Sequence, residues 1–269
     1  MNELTEKAWP VVKLLVIPYL ALLFLLIYPI QYYIDAPGGL TEVSSLIEVD
    51  YQDDKVIEGT ISTTYIIALN RPSFFQFIVG YFSPYTTIAA LTGSYADYSN
   101  DEIQQISYWD KYTSVDASLI VAFEAAQAID SNIVIDYVEK TLVFGKTPYL
   151  SHYDEIAFGD EFVSVVGDNG VVTDISLIGD NTTLSSTYLF NFQTPEGDPY
   201  ALELTKDATT GKFGITFKTS YWVNESTTFP TYAVRSSNIG GPSGGLLQTL
   251  DIYNHLVEED ITHGQKVAG

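Results

Sequence analysis

The chain has 269 residues, 46% of them hydrophobic, and carries 34 Asp and Glu against 12 Lys and Arg, a formal charge of -22. That charge excludes a polyphosphate backbone as a partner and disfavours anionic lipid, while the hydrophobic content supports a buried core in one large or two small domains. The absence of cysteine excludes a disulfide framework and a thiolate zinc site, and suits a cell-surface protein in an organism that does not rely on disulfides.

From Leu14 to Ile30 no charge interrupts the sequence LLVIPYLALLFLLIYPI, and with residues 9–13 added the run reaches the length of a membrane span. Trp9 at one end and Tyr28, Tyr32 and Tyr33 at the other fit interfacial aromatic belts, and Lys13 is placed to snorkel. A buried core helix and a cleaved signal peptide are the lesser alternatives, the latter because the cut after Ala36 has Ile34 three residues back and Pro37 immediately after. The reading is therefore residues 1–8 as a cytoplasmic tail and 9–30 as an uncleaved anchor. Lys7 and Lys13 precede the span and the next basic residue is Lys55, which puts the bulk of the chain, starting with the region 31–130, outside the cell.

Residues 45–69 give two β-branched runs around the acidic stretch DYQDDK and predict a hairpin with a solvated turn. No calcium loop is expected there, since the glycine and terminal Glu are missing. FFQFIVGYF, 74–82, is a core helix or lies against a membrane surface, and the core is favoured. Ser99 or Asn100 opens one or two helices through Gln127, with Trp109 in the core. Beyond Ser131 the period becomes that of strands, about six in about 90 residues, so 131–224 reads as a small β-rich domain. Within it IAFGDEFVSVVG, 156–167, resembles the stretch of PDZ domains in which a Gly-Asp pair opens a strand that ends near a second glycine. By that resemblance Leu142, Val143, Phe144 and Gly145 fall where a PDZ domain holds a peptide added to a sheet edge. A core strand followed by a turn is the alternative at the same residues.

NIGGPSGGLLQTL, 238–250, is the segment with chemistry. A P-loop needs Lys and Ser or Thr after the last glycine, where Leu246 and Leu247 stand. Gly241-Pro-Ser-Gly-Gly245 satisfies G-x-S-x-G, but only 26 residues follow Ser243, and His255 and His263 cannot complete a hydrolase sheet in that length. Leu246, Leu247, Leu250, Tyr253 and Leu256 mark an amphipathic helix with Ser243 in its first turn. There the serine is either a cap or a nucleophile whose oxyanion the unpaired amides and dipole of the helix start stabilise, with the flanking Gly241, Gly244 and Gly245 leaving room for a substrate backbone.

IGGPSGGLLQTLDIYNHLVEEDITHGQKVAG resembles the Lon-type motif of the membrane-anchored, PDZ-containing Lon-like serine proteases of Gram-positive bacteria, a family that includes a pheromone-processing enzyme. WPVVKLLVIPYL and YYIDAPGG, 32–39, are similar to that family's anchor region. The resemblance implies an α+β chain with an N-terminal transmembrane helix, a mixed α/β extracellular region, a PDZ-like domain at 131–224 and a partial Lon-like proteolytic domain at 225–269. It implies a cell-membrane, single-pass endopeptidase that cleaves a secreted peptide or protein with Ser243 as nucleophile and a neutral lysine as base. No Walker motif occurs, so no nucleotide, cofactor or metal is expected. Two departures stand out. Gly244 replaces the family's alanine, and the family's lysine lies past Gly269, Lys266 aligning with a preceding strand. The chain then carries half of a dyad and has weak or no activity. A non-catalytic, surface-anchored peptide-binding protein is the alternative.

Overall fold

The computed structural model describes residues 3–51, 55–237 and 241–269, with side chains from Lys13 onward. In chain order the elements are α1 (Glu3–Ile27), β1 (Tyr32–Glu42), β2 (Ile47–Asp50), β3 (Thr60–Asn70), α2 (Phe74–Phe82), β4 (Thr87–Ala90), α3 (Ser94–Asp97), α4 (Asn100–Gln127), β5 (Tyr137–Lys146), β6 (Glu161–Gly167), β7 (Gly170–Val172), β8 (Thr187–Gln193), β9 (Pro199–Thr205), β10 (Ile215–Val223), β11 (Thr231–Val234), α5 (Gly245–Leu256) and β12 (Lys266–Ala268). They form two units, residues 1–39 with 65–96 and residues 40–64 with 97–269.

In the first unit the backbone order is β3-β1-β4, with β1 and β4 antiparallel from Tyr32↔Ala90 to Asp35↔Thr87. The expected transmembrane anchor is not there. Among the described residues no helix is long and apolar enough to cross a membrane. The physical reason lies at both ends of the run. Pro29 cannot continue a helix, and the chain leaves α1 at Ile27 to make a bridge between Pro29 and Ser73. Glu3, Glu6, Lys7 and Lys13 occupy the amino-terminal half of α1. The charge-free part, Leu14 to Ile27, is about 21 Å long, against about 30 Å of hydrocarbon. This corrects the transmembrane part of the fold class and the single-pass membrane localisation, together with the cytoplasmic and extracellular sides assigned from it. Trp9 and Lys7 lie outside the residues whose side chains are described.

α2 starts on a capping box, Ser73 Oγ accepting the Gln76 N–H at 3.2 Å and Gln76 Oε1 accepting the Ser73 N–H at 2.7 Å. It is not a core helix. Only Gly80 is buried, where an added Cβ would come within 3.0 Å of Ile34 Cδ1, and Phe82 is 80% exposed.

The second unit is organised by α4, a single helix opened by a capping box between Ser99 and Glu102. One part of it packs Val115, Leu119, Ala122, Phe123 and Ala126 against Ile252 and Leu256 of α5 and Ile47 and Val49 of β2. Nearer its start, Ile103, Ile106 and Trp109 pack with Tyr98 and Phe158. Trp109 is core, as the sequence predicts, and its Nε1 donates to the Phe158 carbonyl at 2.7 Å. The β-rich region is a six-stranded sheet of order β10-β5-β6-β8-β9 with β7 on β6, around Val143, Phe162, Val165, Phe190, Phe192 and Leu204. Gly159 has φ +94 and Asp160 accepts the Ala157 amide at 2.7 Å, a turn that leads into β6. The hairpin expected at 45–69 does not form. β2 pairs instead with β11, antiparallel from Asp50↔Thr231 to Ile47↔Val234, and the start of β3 pairs in parallel with β12. Residues 52–54 of the expected turn lie outside the described residues.

Candidate functional site

α5 begins at Gly245, with Gly244 as its N-cap in αR conformation and no side-chain cap bond. Ser243 therefore lies in the turn ahead of the helix, not in its first turn, and it does not cap it. Its side chain is exposed, and among the described residues nothing hydrogen-bonds its hydroxyl. The helix starts here because Gly241, at φ +83 with open space around it, reverses the chain in a conformation that favours glycine. Gly245 N–H then donates to the Pro242 carbonyl at 3.3 Å and Gln248 N–H to the Gly244 carbonyl at 2.9 Å. Among the described residues the amides of Ser243, Gly244, Leu246 and Leu247 have no such acceptor, which is the ordinary state of a helix start and leaves donors beside the serine.

The glycines do a different job from the one expected. Gly244 is buried, and a Cβ on it would lie 3.1 Å from Gln248 Nε2 and 3.3 Å from Thr63 Oγ1; one on Gly245 would lie 3.2 Å from Ser114 Oγ. They let the turn sit close to its neighbours, rather than clearing room for a substrate.

The inner face of α5 is also different. Leu246 is 72% exposed, and the buried residues are Gln248, Asp251, Ile252, Asn254 and Leu256. Asn254 is satisfied: its Oδ1 accepts the Ile261 amide at 2.9 Å and its Nδ2 donates to Asp260 at 3.2 Å. Lys55 caps the far end of the helix, donating to the carbonyls of Asn254, Val257 and Glu259. Asp251 is not satisfied. Its Oδ2 has no hydrogen-bond partner among the described residues, and His255 Nε2 is 3.8 Å away. Burial, with the Glu42 carboxylate adding to it, pushes the Asp251 carboxyl up to about 7. Burial and the Lys55 charge hold His255 below the ordinary histidine range. Near this end of α5 a cleft of about 570 Å³ is lined by Glu48, Tyr51, Lys55, Tyr232 and His255, and Ser243 is not part of its wall.

Leu142 and Val143 are closed to an added strand. β10 pairs along one edge of β5, with Leu142↔Lys218, Val143↔Phe217 and Gly145↔Thr216. Along the other edge Leu142 pairs with Glu161, Val143 N–H donates to Asp160 at 2.8 Å, and the Val143 carbonyl accepts the Gly159 amide at 2.9 Å. Val143 is buried in the sheet core, Leu142 is buried as well, and Phe144 packs toward Trp109. Backbone groups already bonded on both sides cannot take a peptide, so the strand reading of TLVFG replaces the binding one.

Lys266 is exposed on β12, opposite Thr60 of β3, and among the described residues it has no contact with Ser243.

No family model, no curated protein and no solved structure matches the chain.

What the sequence reading missed is a row on α4. Ser107, Lys111, Ser114 and Ser118 all bond the segment from Ser237 to Gly245. Their spacing of four, three and four residues is a helical face, the available signal, but one that reads as a solvated stripe.

Proposed function

We propose that the chain is a serine endopeptidase of the Lon-like, nucleotide-independent type, acting on a peptide or protein substrate through Ser243. The observation that supports this best is a hydroxyl that is exposed, outside the cap position, without a hydrogen-bond partner among the described residues, and beside main-chain amides that lack acceptors among those residues. In this reading Ser243 Oγ attacks the substrate carbonyl carbon while its proton passes to a basic nitrogen, a lysine in the family the sequence resembles. The oxyanion takes hydrogen bonds from the free amides at the turn. Collapse breaks the C–N bond, the amine leaves with a proton, and water then hydrolyses the ester to regenerate the serine.

Incubation of the purified chain with quenched-fluorescence peptides tests this. Slow cleavage that Ser243→Ala abolishes is the expected result. Cleavage unchanged by that substitution removes the proposal.

A peptide-binding role is favoured by a separate observation. Among the described residues β9 is the end strand of its sheet, paired with β8 alone, and offers the backbone edge that β5 does not. Retention of an extended peptide by Ser243→Ala and wild type alike, with no cleavage by either, would select that role.

A further inference from the structure

The segment carrying Ser243 is tied to one face of α4 at successive points. Lys111 Nζ donates to the Ser237 carbonyl at 2.9 Å and to its hydroxyl at 2.7 Å. The Ser107 carbonyl accepts the Gly241 N–H at 3.2 Å, Ser114 Oγ donates to the Pro242 carbonyl at 3.3 Å, and the single hydroxyl proton of Ser118 is shared between the Ser114 carbonyl at 2.7 Å and the Gly245 carbonyl at 3.0 Å. Ser118 is 3% exposed, and its oxygen also stands 3.2 Å from Gln248 Oε1 on the inner face of α5. Glycine at 245 is what permits this approach, since a Cβ there would meet both serine hydroxyls, at 3.2 Å and 3.6 Å.

A trans peptide is planar, with C=O and N–H pointing opposite ways. The carbonyl of Pro242 faces α4, so the N–H of the same peptide unit, that of Ser243, faces away from α4. We infer that Ser114 and Ser118 are positioning residues: by holding the carbonyls on either side of Ser243 and Gly244 they turn the Ser243 amide outward, as the donor to the oxyanion. The donor role rests on the serine-hydrolase reading above; the anchoring does not.

The test uses the full chain with Ser114→Ala, Ser118→Ala and Ser114→Thr. One readout is the rate at which a fluorophosphonate labels Ser243; the other is the carbonyl carbon-13 resonance of Pro242, which reports the anchoring apart from the chemistry. Loss of one such bond should slow labelling about fivefold for Ser114→Ala and move the Pro242 resonance, with Ser114→Thr restoring both and the thermal midpoint unmoved by Ser114→Ala. Ser118→Ala should slow labelling as well, at some loss of stability from its buried site. A Pro242 resonance that stays in place in Ser114→Ala overturns the anchoring. Labelling at the wild-type rate despite a moved resonance overturns the donor role alone, and a wild type that never labels sinks the hydrolase reading and the donor role with it.

Discussion

Asp251 makes the sharpest stability prediction. The residue is 5% exposed and among the described residues one carboxylate oxygen lacks a hydrogen-bond partner, so the folded chain favours the protonated form and its carboxyl titrates at about 7 instead of 3.8. The sign follows from linkage. Below about pH 4 the group is protonated in both states and costs nothing; as pH rises the unfolded chain ionises first, and stability falls until the folded carboxyl also ionises near pH 7. At about 1.4 kcal/mol per pH unit, the fall between pH 5 and pH 8 is about 2–3 kcal/mol. Asp251→Asn removes the titration while keeping the shape. Asp116, likewise buried and raised to about 7, is present in both chains and cancels. Urea unfolding of both proteins at pH 5 and pH 8 should show the variant gaining about 2–3 kcal/mol on the wild type between the two pH values. Parallel pH profiles would refute the reasoning, because they would mean that the Asp251 carboxylate finds solvent or a partner in the fold.

Ser243→Ala should leave unfolding free energy within about 0.5 kcal/mol of wild type, since among the described residues the hydroxyl bonds nothing; a larger loss by urea titration would mean a structural serine. Gly159→Ala should be severe, about 3 kcal/mol or more, because its φ is +94 and a Cβ would stand 2.0 Å from the Trp109 ring; the loss should appear in thermal unfolding and in Trp fluorescence. Phe123→Ala empties the centre of the α4 and α5 packing and should cost about 3–5 kcal/mol by urea unfolding. Lys55→Met leaves the carbonyls at the end of α5 without their donor and should cost about 1–3 kcal/mol, with faster amide exchange in the last turn of that helix.

Where an element is set by its own residues, the sequence was readable. A capping residue at Ser99 or Asn100 announced the start of α4, β-branched alternation announced β5 to β10, and leucines after a glycine-rich turn announced α5. Partners separated in sequence were not. β2 joins β11 about 180 residues away because Ile47 and Val49 are needed over the α4 core, and nothing local in SLIEV distinguishes that from a hairpin with β3. FFQFIVGYF is apolar all round, so its composition cannot say whether it is covered. The run from Leu14 to Ile30 read as one span, yet Pro29 ends the helix and directs the chain into a bridge. On α5, Gln248 and Asn254 look like a solvent face in sequence and are inside, because Ser118, Asp260 and the Ile261 amide supply their hydrogen bonds. For the candidate site, the helix that follows Ser243 was legible, although the serine stands ahead of its first turn; the row of serines on α4 that holds its turn was not, since a helical polar stripe ordinarily faces water.

The claim on which the functional account turns is that Ser243 is a nucleophile. Peptide mapping by mass spectrometry after fluorophosphonate treatment addresses it without any choice of substrate. The account predicts a single adduct on the peptide holding Ser243, forming faster as pH rises and absent from Ser243→Ala. Adducts spread over several exposed serines, or persisting in that variant, would contradict it.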